Sequence, residues 1–341
     1  MTVREPYRLQ IPPGYRPVMD LLETEKAIKE LKDYFEKELA AALHLTRVSA
    51  PLFVRPETGL NDNLNGVERP VSFDVPSLEG DAAEIVHSLA KWKRYALARY
   101  HMPAESGLYT DMNAIRRDET PDNLHSLYVD QWDWERVIRR EERCEAYLRR
   151  IVRAIYGVFL RAQEHITAYC PRLTSYLPPD ITFVTTQELE DRYPELTPSQ
   201  RETEAAREHG AVFLMQIGGK LHSGRPHDGR APDYDDWTLN GDIFFYYPLL
   251  ERAFEVSSMG IRVDEASLAA QLREADCLDR AALPFQRALL QGELPLTIGG
   301  GIGQSRLCMF LLNKAHIGEV QASVWPDEMA ERCAAEGIPL L

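Results

Sequence analysis

The sequence has few cysteines and no apolar run of membrane-spanning length. Five cysteines occur among 341 residues, and none belongs to a Cys-x-x-Cys pair, so neither a zinc site nor a disulfide framework is indicated. Their odd number fits a reducing compartment. The N-terminal residues also lack the apolar segment of a signal peptide. We therefore expect a cytoplasmic protein that does not enter a membrane.

Positive charge is also scarce, because 39 basic residues face 53 acidic ones and the net charge is -14. Such a chain repels nucleic acid over most of its surface, so no nucleic-acid partner is expected. Any anionic substrate must then be held by a local basic pocket. The sequence contains no internal repeat, low-complexity tail or Pro/Ser/Gly-rich linker, which predicts a single domain over residues 1–341.

The periodicity of apolar residues predicts long helices and separate strands. A helix is predicted over 23–45, and a short strand that carries Pro51 follows up to residue 54. Further helices are predicted over 83–99 and 138–169. Strand-like segments lie at 181–184, 211–217, 243–248 and 254–263, and a long polar loop covers 218–237. Without regular strand–helix alternation, this order predicts an α+β domain with mainly antiparallel strands.

The stretch from Thr297 to Arg306 has four glycines within five positions and an arginine three residues after the last glycine. Glycines allow backbone to approach a ligand closely, and arginine offers a fork of donors to phosphate. No Lys-Ser/Thr pair follows, and Arg306 stands where a dinucleotide fingerprint needs glycine. The pattern favours a less common nucleotide site. The alternative is a glycine-rich turn before a helix, with its arginine on the surface.

Lys93 is the lysine in the helix predicted over 83–99 that could turn inward. It lies at the edge of the apolar face formed by Leu89, Trp92 and Ala96, whereas Lys91 points roughly opposite. We expect Lys93 to meet a carboxylate and Lys91 to face solvent. The alternative for Lys93 is a surface side chain whose stem packs on apolar neighbours.

The segment 127–135 alternates acidic or amide residues with aromatic ones, as a strand between two layers would. Gln131, Asp133 and Glu135 share one face, and Trp132 and Trp134 share the other. Polar groups in a row beside an apolar layer are costly unless they bind something. The alternative is a strand whose polar face is solvated.

Several charged residues have the chemistry of a phosphate or magnesium site. Arg116 and Glu119 occupy a turn between strands, and Asp242 and Glu255 are candidate Mg²⁺ ligands because hard cations prefer carboxylate oxygens. The alternatives are a surface ion pair and two solvated acids. His222 and His227 are five residues apart in a loop, which does not favour zinc.

Three of these signatures occur in a characteristic order. A helix and strand ending near Pro51, a strand–loop–strand with Arg116 and Glu119, and Gly301-x-Gly303-x-x-Arg306 before a helix resemble motifs 1, 2 and 3 of class II aminoacyl-tRNA synthetases. Within that superfamily the chain resembles the ammonia-dependent asparagine synthetases (aspartate–ammonia ligases). The segments that carry this closer resemblance are 62–66, 86–94, 107–110, 128–135, 218–220, 230–237, 239–242, 255–264 and 298–306.

The resemblance implies an antiparallel sheet flanked by helices and a homodimer, with 23–54 as the dimerisation element after an N-terminal extension over 1–22. It implies that ATP, L-aspartate and ammonia give L-asparagine, AMP and pyrophosphate through β-aspartyl-adenylate, with Mg²⁺ as the cofactor. Compared with the family, the extension looks long. Only Thr238 separates Trp237 from Leu239, which shortens a loop near the site.

The resemblance also implies residue roles. Catalytic positions would be Asp62, Lys93, Arg116 and Arg306. Aspartate would be bound by Gln131, Asp133, Asp235, Ser257 and Ser258. The nucleotide would be bound by Arg116, Ser126, Arg230, Asp242, Glu255, Gly301, Gly303 and Arg306, with Asp242 and Glu255 also serving Mg²⁺. Lys93 is expected to pair with a substrate carboxylate, and Asp62 to hold ammonium and help remove its proton.

Three alternatives remain open. An aspartyl- or asparaginyl-tRNA synthetase core would need an anticodon-binding domain, for which residues 1–45 are too few, and a basic RNA face. A non-catalytic relative should have lost the arginines or acids named above. A ligase for another amino-dicarboxylate needs only a small change in the pocket.

Overall fold

A computed structural model describes residues 9–62, 68–78 and 80–341 of the chain. Part of the predicted extension (1–8) and most of the motif after Asp62 (63–66) lie outside these ranges. The first helix, α1, spans Leu21–Leu43, close to its predicted bounds. It begins there because the Asp20 side chain accepts a hydrogen bond from the backbone of Glu23, whose carboxylate bonds back to Asp20, and such a capping box satisfies two free donors.

The predicted strand up to residue 54 is divided between two sheets. Strand β1 (Leu45–Arg47) belongs to the large sheet, whereas β2 (Phe53–Val54) pairs with β4 (Ala82–Ile85), which also pairs with β3 (Ser72–Asp74). Pro51 lies in the irregular segment between β1 and β2. The prediction of one continuous strand is therefore wrong. Proline cannot donate to a ladder, and the chain changes sheets where it occurs.

The helix predicted over 83–99 is correct only in its second half. Helix α2 spans Ala90–Arg99, and β4 occupies the start of the predicted range. The backbone N–H of Leu89 donates to Asp133 Oδ2 at 3.2 Å, which satisfies a donor at the helix start from another element. A tertiary contact therefore sets the start of α2.

The remaining elements follow in chain order. The strands are β5 (Gly107–Ile115), β6 (Tyr128–Val137), β7 (Thr182–Thr185), β8 (Ala211–Met215), β9 (Asp235–Tyr247), β10 (Arg252–Arg262) and β11 (Thr297–Gly303). The helices are α3 (Glu145–Tyr169), α4 (Thr186–Arg192), α5 (Pro198–His209), α6 (Glu265–Glu274), α7 (Pro284–Leu290), α8 (Gln304–Leu311) and α9 (Asp327–Ala335). Helix α3 begins later than predicted, and the predicted polar loop ends at β9 rather than at Trp237.

The large sheet has eight strands in the order β1-β5-β6-β11-β10-β9-β8-β7. Its edge pairs β1–β5 and β7–β8 are parallel, and the five pairs between them are antiparallel. This arrangement confirms the predicted α+β class with mainly antiparallel strands. In the described part of the chain, no helix combines the length and the apolar character needed to cross a bilayer.

The two faces of the sheet differ in chemistry. On one face Trp132 of β6 stacks on Phe35 of α1 with ring centroids 4.9 Å apart, and Phe35 also meets Phe159 of α3. These residues belong to the main apolar core. The opposite face carries Gln131, Asp133 and Glu135, and α2 lies over part of it. The predicted division of β6 into an apolar and a polar face is therefore confirmed.

We predict that Phe35→Ala destabilises the fold by about 3–5 kcal/mol, because a fully buried aromatic ring leaves a cavity between α1, α3 and β6. Urea denaturation followed by circular dichroism measures the loss. Glu25→Ala, on the exposed side of the same helix, should change the free energy of unfolding of the wild-type protein by no more than about 0.5 kcal/mol. Equal effects of the two substitutions would contradict this description of the core.

Candidate active site

The glycine-rich stretch is a central strand of the sheet. Strand β11 lies between β6 and β10, and Gly299 and Gly301 pair with Glu135 and Asp133. A Cβ at Gly299 would collide with Oε2 of Glu135 and would lie 2.7 Å from Nη2 of Arg262. A Cβ at Gly301 would collide with the Gln131 amide. The alternative of a glycine-rich turn is wrong, because the glycines leave room on the sheet for polar side chains of neighbouring strands.

Arg262 uses this room to bridge β6 and β9. From β10 it donates through Nε and Nη2 to Glu135 at 3.0 and 2.8 Å, and through Nη1 to Asp235. Thr297 also donates to Glu135 at 2.6 Å. Burial disfavours the charged form of Glu135, but the cations Arg262 and Lys93 outweigh burial and lower its pKa. For Asp235 burial outweighs Arg262, and the pKa is raised.

Lys93 completes this buried network from α2. Its side chain is fully buried, and its ammonium donates to Asp133 Oδ1, to the Trp134 carbonyl at 2.9 Å and to the Gly300 carbonyl at 3.3 Å. Glu135 Oε2 lies 3.5 Å away. The prediction that Lys93 turns inward to a carboxylate is confirmed. These three hydrogen bonds use all three N–H donors of the ammonium. To pair with a substrate carboxylate, Nζ must therefore exchange one of these partners. That pairing stays a prediction.

Lys91 is buried, contrary to the prediction that it faces solvent. Its ammonium lies 3.4 Å from Asp233, in the segment that precedes β9, and only 5% of the residue is exposed. Gln286 of α7 donates to the same carboxylate at 2.6 Å. The segment before β9 and α7 cover the side of α2 that helical periodicity alone assigned to solvent.

A second group of charges surrounds Glu255. Arg306 donates to the Glu255 carbonyl at 2.9 Å and lies 3.4 Å from its carboxylate. Burial opposes ionisation of Glu255, but Arg306, Arg230, His125 and Arg116 together lower its pKa. Three arginines from separate parts of the chain thus converge on one acid. Guanidinium groups in such a cluster have the geometry to bind phosphate.

A β-bulge in β10 changes which residues face this group. Glu255 pairs with Phe244, but Ser257 pairs with Ile243 and Ser258 with Asp242, so β10 contains one extra residue. Ser258 therefore shares a face with Asp242 and Glu255, while Ser257 pairs with core residues. The expectation from a regular strand, that Glu255 and Ser257 share a face and Ser258 does not, is wrong. Bulges re-aim side chains in this way.

Asp242 is buried behind Arg230, to which it forms an ion pair. Burial raises the pKa of Asp242 to about 7, and the nearby charge of Glu255 adds to the increase, while Arg230 opposes it. Among the residues that the structure describes, no group of three or more His, Cys, Asp or Glu side chains could hold a metal. Two carboxylates are sufficient for Mg²⁺ when phosphates and water supply its other ligands.

The third part of the site joins the segment before β6 to the segment after α8. Ser126 donates to Ser323 at 2.9 Å, and the backbone of Ile317 donates to the Asn123 carbonyl at 2.8 Å. Leu124 and Ile317 supply apolar surface here, and both line the cavity. An apolar wall beside polar groups suits a flat heterocycle.

All three parts open into one cavity of about 340 Å³. Most of the predicted site residues line it: Asp62, Arg116, Ser126, Gln131, Asp133, Arg230, Asp235, Glu255, Ser257, Ser258, Gly301, Gly303 and Arg306. Lys93 and Asp242 do not line the cavity. Lys93 lies behind Asp133 and Asp242 lies behind Arg230, and both of these partners are in the cavity wall. Lining the cavity does not test the individual roles, which stay predictions.

A family model of aspartate–ammonia ligase matches residues 22–337. The chain belongs to the aspartate–ammonia ligase family. An aspartate–ammonia ligase of Ruminiclostridium cellulolyticum is 66% identical over 330 residues, covering 97% of this chain and 98% of that one. The corresponding protein of Clostridium tetani is 60% identical over 341 residues and covers all of both chains. The resemblance identified from the sequence is confirmed.

Solved structures with the same fold are class II aminoacyl-tRNA synthetases. An asparaginyl-tRNA synthetase of Pyrococcus horikoshii, complexed with asparaginyl-adenylate, has a TM-score of 0.64 at 14% identity and covers 89% of this chain and 70% of that chain. The enzyme of Entamoeba histolytica has a TM-score of 0.61 at 13% identity, covering 88% and 67%. At this identity the likeness concerns the fold, and it confirms the predicted architecture.

Three buried residues of this family member, Arg262, His87 and Asp130, have no role that the sequence predicts. Arg262 lies in a segment that carries the resemblance, but its reach across Gly299 depends on strand order, which the sequence does not state. His87 lies between β4 and α2, in a segment that apolar periodicity predicts to be helical. The third residue, Asp130, accepts from the backbone of Ser305 and from Lys32, each at 3.0 Å; alternation along β6 predicts its face but not these partners.

We predict that Gly299→Ala destabilises this ligase-family protein by about 1–3 kcal/mol, the usual cost of an overpacked core, because its methyl group would displace Glu135 from Arg262. Gly219→Ala is the matched control, since a Cβ at Gly219 meets no atom within 4 Å. Thermal denaturation of both variants measures the difference. A Gly299→Ala protein as stable as the Gly219→Ala control would show that the glycine is not required for the network.

Proposed function

We propose that this protein forms L-asparagine from L-aspartate, ammonia and ATP, through β-aspartyl-adenylate, and releases AMP and pyrophosphate. Membership of the aspartate–ammonia ligase family supports the reaction. The observation that carries it is the convergence of an acid–lysine network, an arginine cluster and a partly apolar wall on one cavity. These parts match an amino acid, phosphates and a base.

The adenylation step needs an aspartate β-carboxylate to attack the α-phosphorus of ATP. In our proposal Gln131, Asp133 and Asp235 bind the amino acid, with the acids facing its α-ammonium. Arg116, Arg230 and Arg306 bind the phosphates and offset the charge that develops as pyrophosphate departs. Lys93 and Arg262 hold Asp133 and Asp235 in place, so the acids need no rearrangement when substrate enters.

The charges near Arg230 also fit Mg²⁺. Glu255 lines the cavity, and Asp242 is a buried acid whose pKa is raised by burial and by Glu255, as expected where a cation is accommodated. We propose that these two carboxylates hold the Mg²⁺ that accompanies ATP. When bound, the ion would neutralise phosphate charge. Arg230 is then free to pair with phosphate instead of Asp242.

In the second step ammonia attacks the β-carbonyl of the adenylate, and AMP leaves. Ammonia is mostly protonated near neutral pH, so a carboxylate near the acyl group both attracts the cation and takes its proton. We propose that Asp62 has this role. Asp62 is buried, lines the cavity and comes within a hydrogen bond of His87 through its carbonyl.

We further propose a cytoplasmic homodimer without a membrane or nucleic-acid partner. Leu21, Leu22, Leu52 and Phe53, in or next to the predicted dimerisation element 23–54, are exposed apolar side chains, as an interface provides. A tRNA-charging activity is the alternative that the shared fold raises. The net charge of -14 opposes RNA binding.

We predict that the purified protein with Mg²⁺-ATP, aspartate and ammonium makes AMP and asparagine in equal amounts. Arg306→Ala should lower aspartate-dependent ATP–pyrophosphate exchange by at least about a hundredfold, because one phosphate-stabilising donor contributes that much in comparable sites. Arg273→Ala, an exposed arginine of α6, should leave exchange unchanged. Asp62→Asn should impair asparagine formation more than exchange.

Formation of ADP instead of AMP, or activity only when tRNA is supplied, would contradict the proposed reaction. Equal loss of exchange and of asparagine formation in Asp62→Asn would reject the role of Asp62 alone. If Arg306→Ala kept its ATP–pyrophosphate exchange activity, Arg306 would not bind the phosphates of ATP.

A further inference from the structure

The ring of His87 is held in one tautomer by the backbone of Asp62. Its Nδ1 lies 3.1 Å from the Asp62 carbonyl oxygen, and a carbonyl can only accept a hydrogen bond. The neutral ring must therefore carry its hydrogen on Nδ1. Its Nε2 is then an acceptor with a lone pair.

This acceptor is buried without a partner. Only 1% of His87 is exposed, and among the described residues Nε2 has no hydrogen-bond partner. Leaving a buried polar atom unsatisfied costs about 1–3 kcal/mol. Such an atom calls for an explanation, and a hydrogen bond to a ligand during the reaction is one.

The position of His87 points to the ligand. The residue lines the main cavity beside Asp62 and Ser88, and it also lines a second cavity of about 90 Å³ that Arg116, Glu119 and Glu68 share. It therefore lies where a small space meets the substrate cavity. A space of this size has room for ammonia.

We propose that Nε2 of His87 contacts the incoming ammonium and accepts one of its protons. The inference rests on the proposed function and adds a second proton acceptor to its amide-forming step. Ammonium donates a hydrogen bond to Nε2, and the carboxylate of Asp62 attracts its charge. Nδ1 keeps its hydrogen bond to the Asp62 carbonyl throughout, so the ring does not need to turn.

Two protons must leave the nitrogen in the course of the reaction. Ammonium must lose one proton before its nitrogen can attack the β-carbonyl carbon. A carbon–nitrogen bond then forms, the bond from carbon to the phosphate oxygen breaks, and its electron pair leaves with AMP. The new amide nitrogen sheds a second proton. His87 takes one proton and Asp62 the other, and both protons pass to solvent after asparagine departs.

A purely structural role for His87 makes a different prediction. The ring could serve only to anchor Asp62 through Nδ1. The backbone N–H of His87 also donates to Oδ1 of Asn61 at 2.8 Å. The Nδ2 amide of asparagine reproduces the Nδ1 donor but offers no acceptor at the Nε2 position. His87→Asn therefore separates the two roles, and His87→Phe removes both.

The test compares the two half-reactions in the full-length wild-type protein, His87→Asn and His87→Phe. We expect aspartate-dependent ATP–pyrophosphate exchange to stay within about twofold of wild type in both variants. The KM for ammonium should rise at least about tenfold, which corresponds to one lost hydrogen bond to a charged donor. With hydroxylamine, which is mostly unprotonated near neutral pH, both variants should lose less activity than with ammonium.

The inference is overturned if His87→Asn keeps the wild-type KM for ammonium, because the hydrogen bond to the Asp62 carbonyl would then be sufficient by itself. It is also overturned if exchange falls in parallel with asparagine formation, or if ammonium and hydroxylamine are affected equally. Failure of the proposed function looks different, since the wild-type protein itself would then show no aspartate-dependent exchange. Circular dichroism of His87→Asn checks that the variant is folded.

Discussion

The crossing of Arg262 over Gly299 is the contact on which the arrangement of the site depends. Arg262 starts on β10 and reaches Glu135 on β6 and Asp235 on β9, so one side chain ties together four adjacent strands. A side chain at Gly299 would occupy the path of the guanidinium. Because Glu135 also faces Lys93, the same contact fixes the helix that carries the lysine.

Buried ion pairs contribute little net stability, because desolvation offsets most of their attraction, but removing one partner is costly. The network of Lys93, Glu135, Arg262 and Asp235 is therefore better explained by geometry than by stability. It holds the carboxylates of Asp133 and Asp235 at the cavity wall before any substrate arrives. Preorganised charges of this kind need no reorientation during a reaction.

The acidic surface and the basic cavity have complementary effects. A net charge of -14 repels polyanions, whereas Arg116, Arg230 and Arg306 place positive charge at the cavity wall. Glu255 pairs with Arg306 and Asp242 with Arg230. In the proposed function, selectivity for a nucleotide over a nucleic acid follows from the placement of a few cations rather than from their number.

Local patterns predicted a good part of this structure. Alternation along β6 identified its polar and apolar faces, and helical spacing identified Lys93 as the inward lysine. The features that the sequence did not predict depend on tertiary contacts. Asp133 sets the start of α2, the segment before β9 buries Lys91, and a bulge in β10 brings Ser258 to the face of Glu255. The space beside each glycine of β11 depends on neighbouring strands. The sequence therefore identified the glycine-rich stretch as unusual but could not show that its glycines make room for side chains of β6 and β10.

A crystal structure with AMP and L-asparagine bound tests the account most directly. We expect the amino acid to contact Gln131, Asp133 and Asp235, the AMP phosphate to lie among Arg116, Arg230 and Arg306, and Arg262 to keep both of its carboxylate partners. Ligands bound elsewhere in the molecule, or an Arg262 that leaves Glu135 to bind the product, would contradict the account.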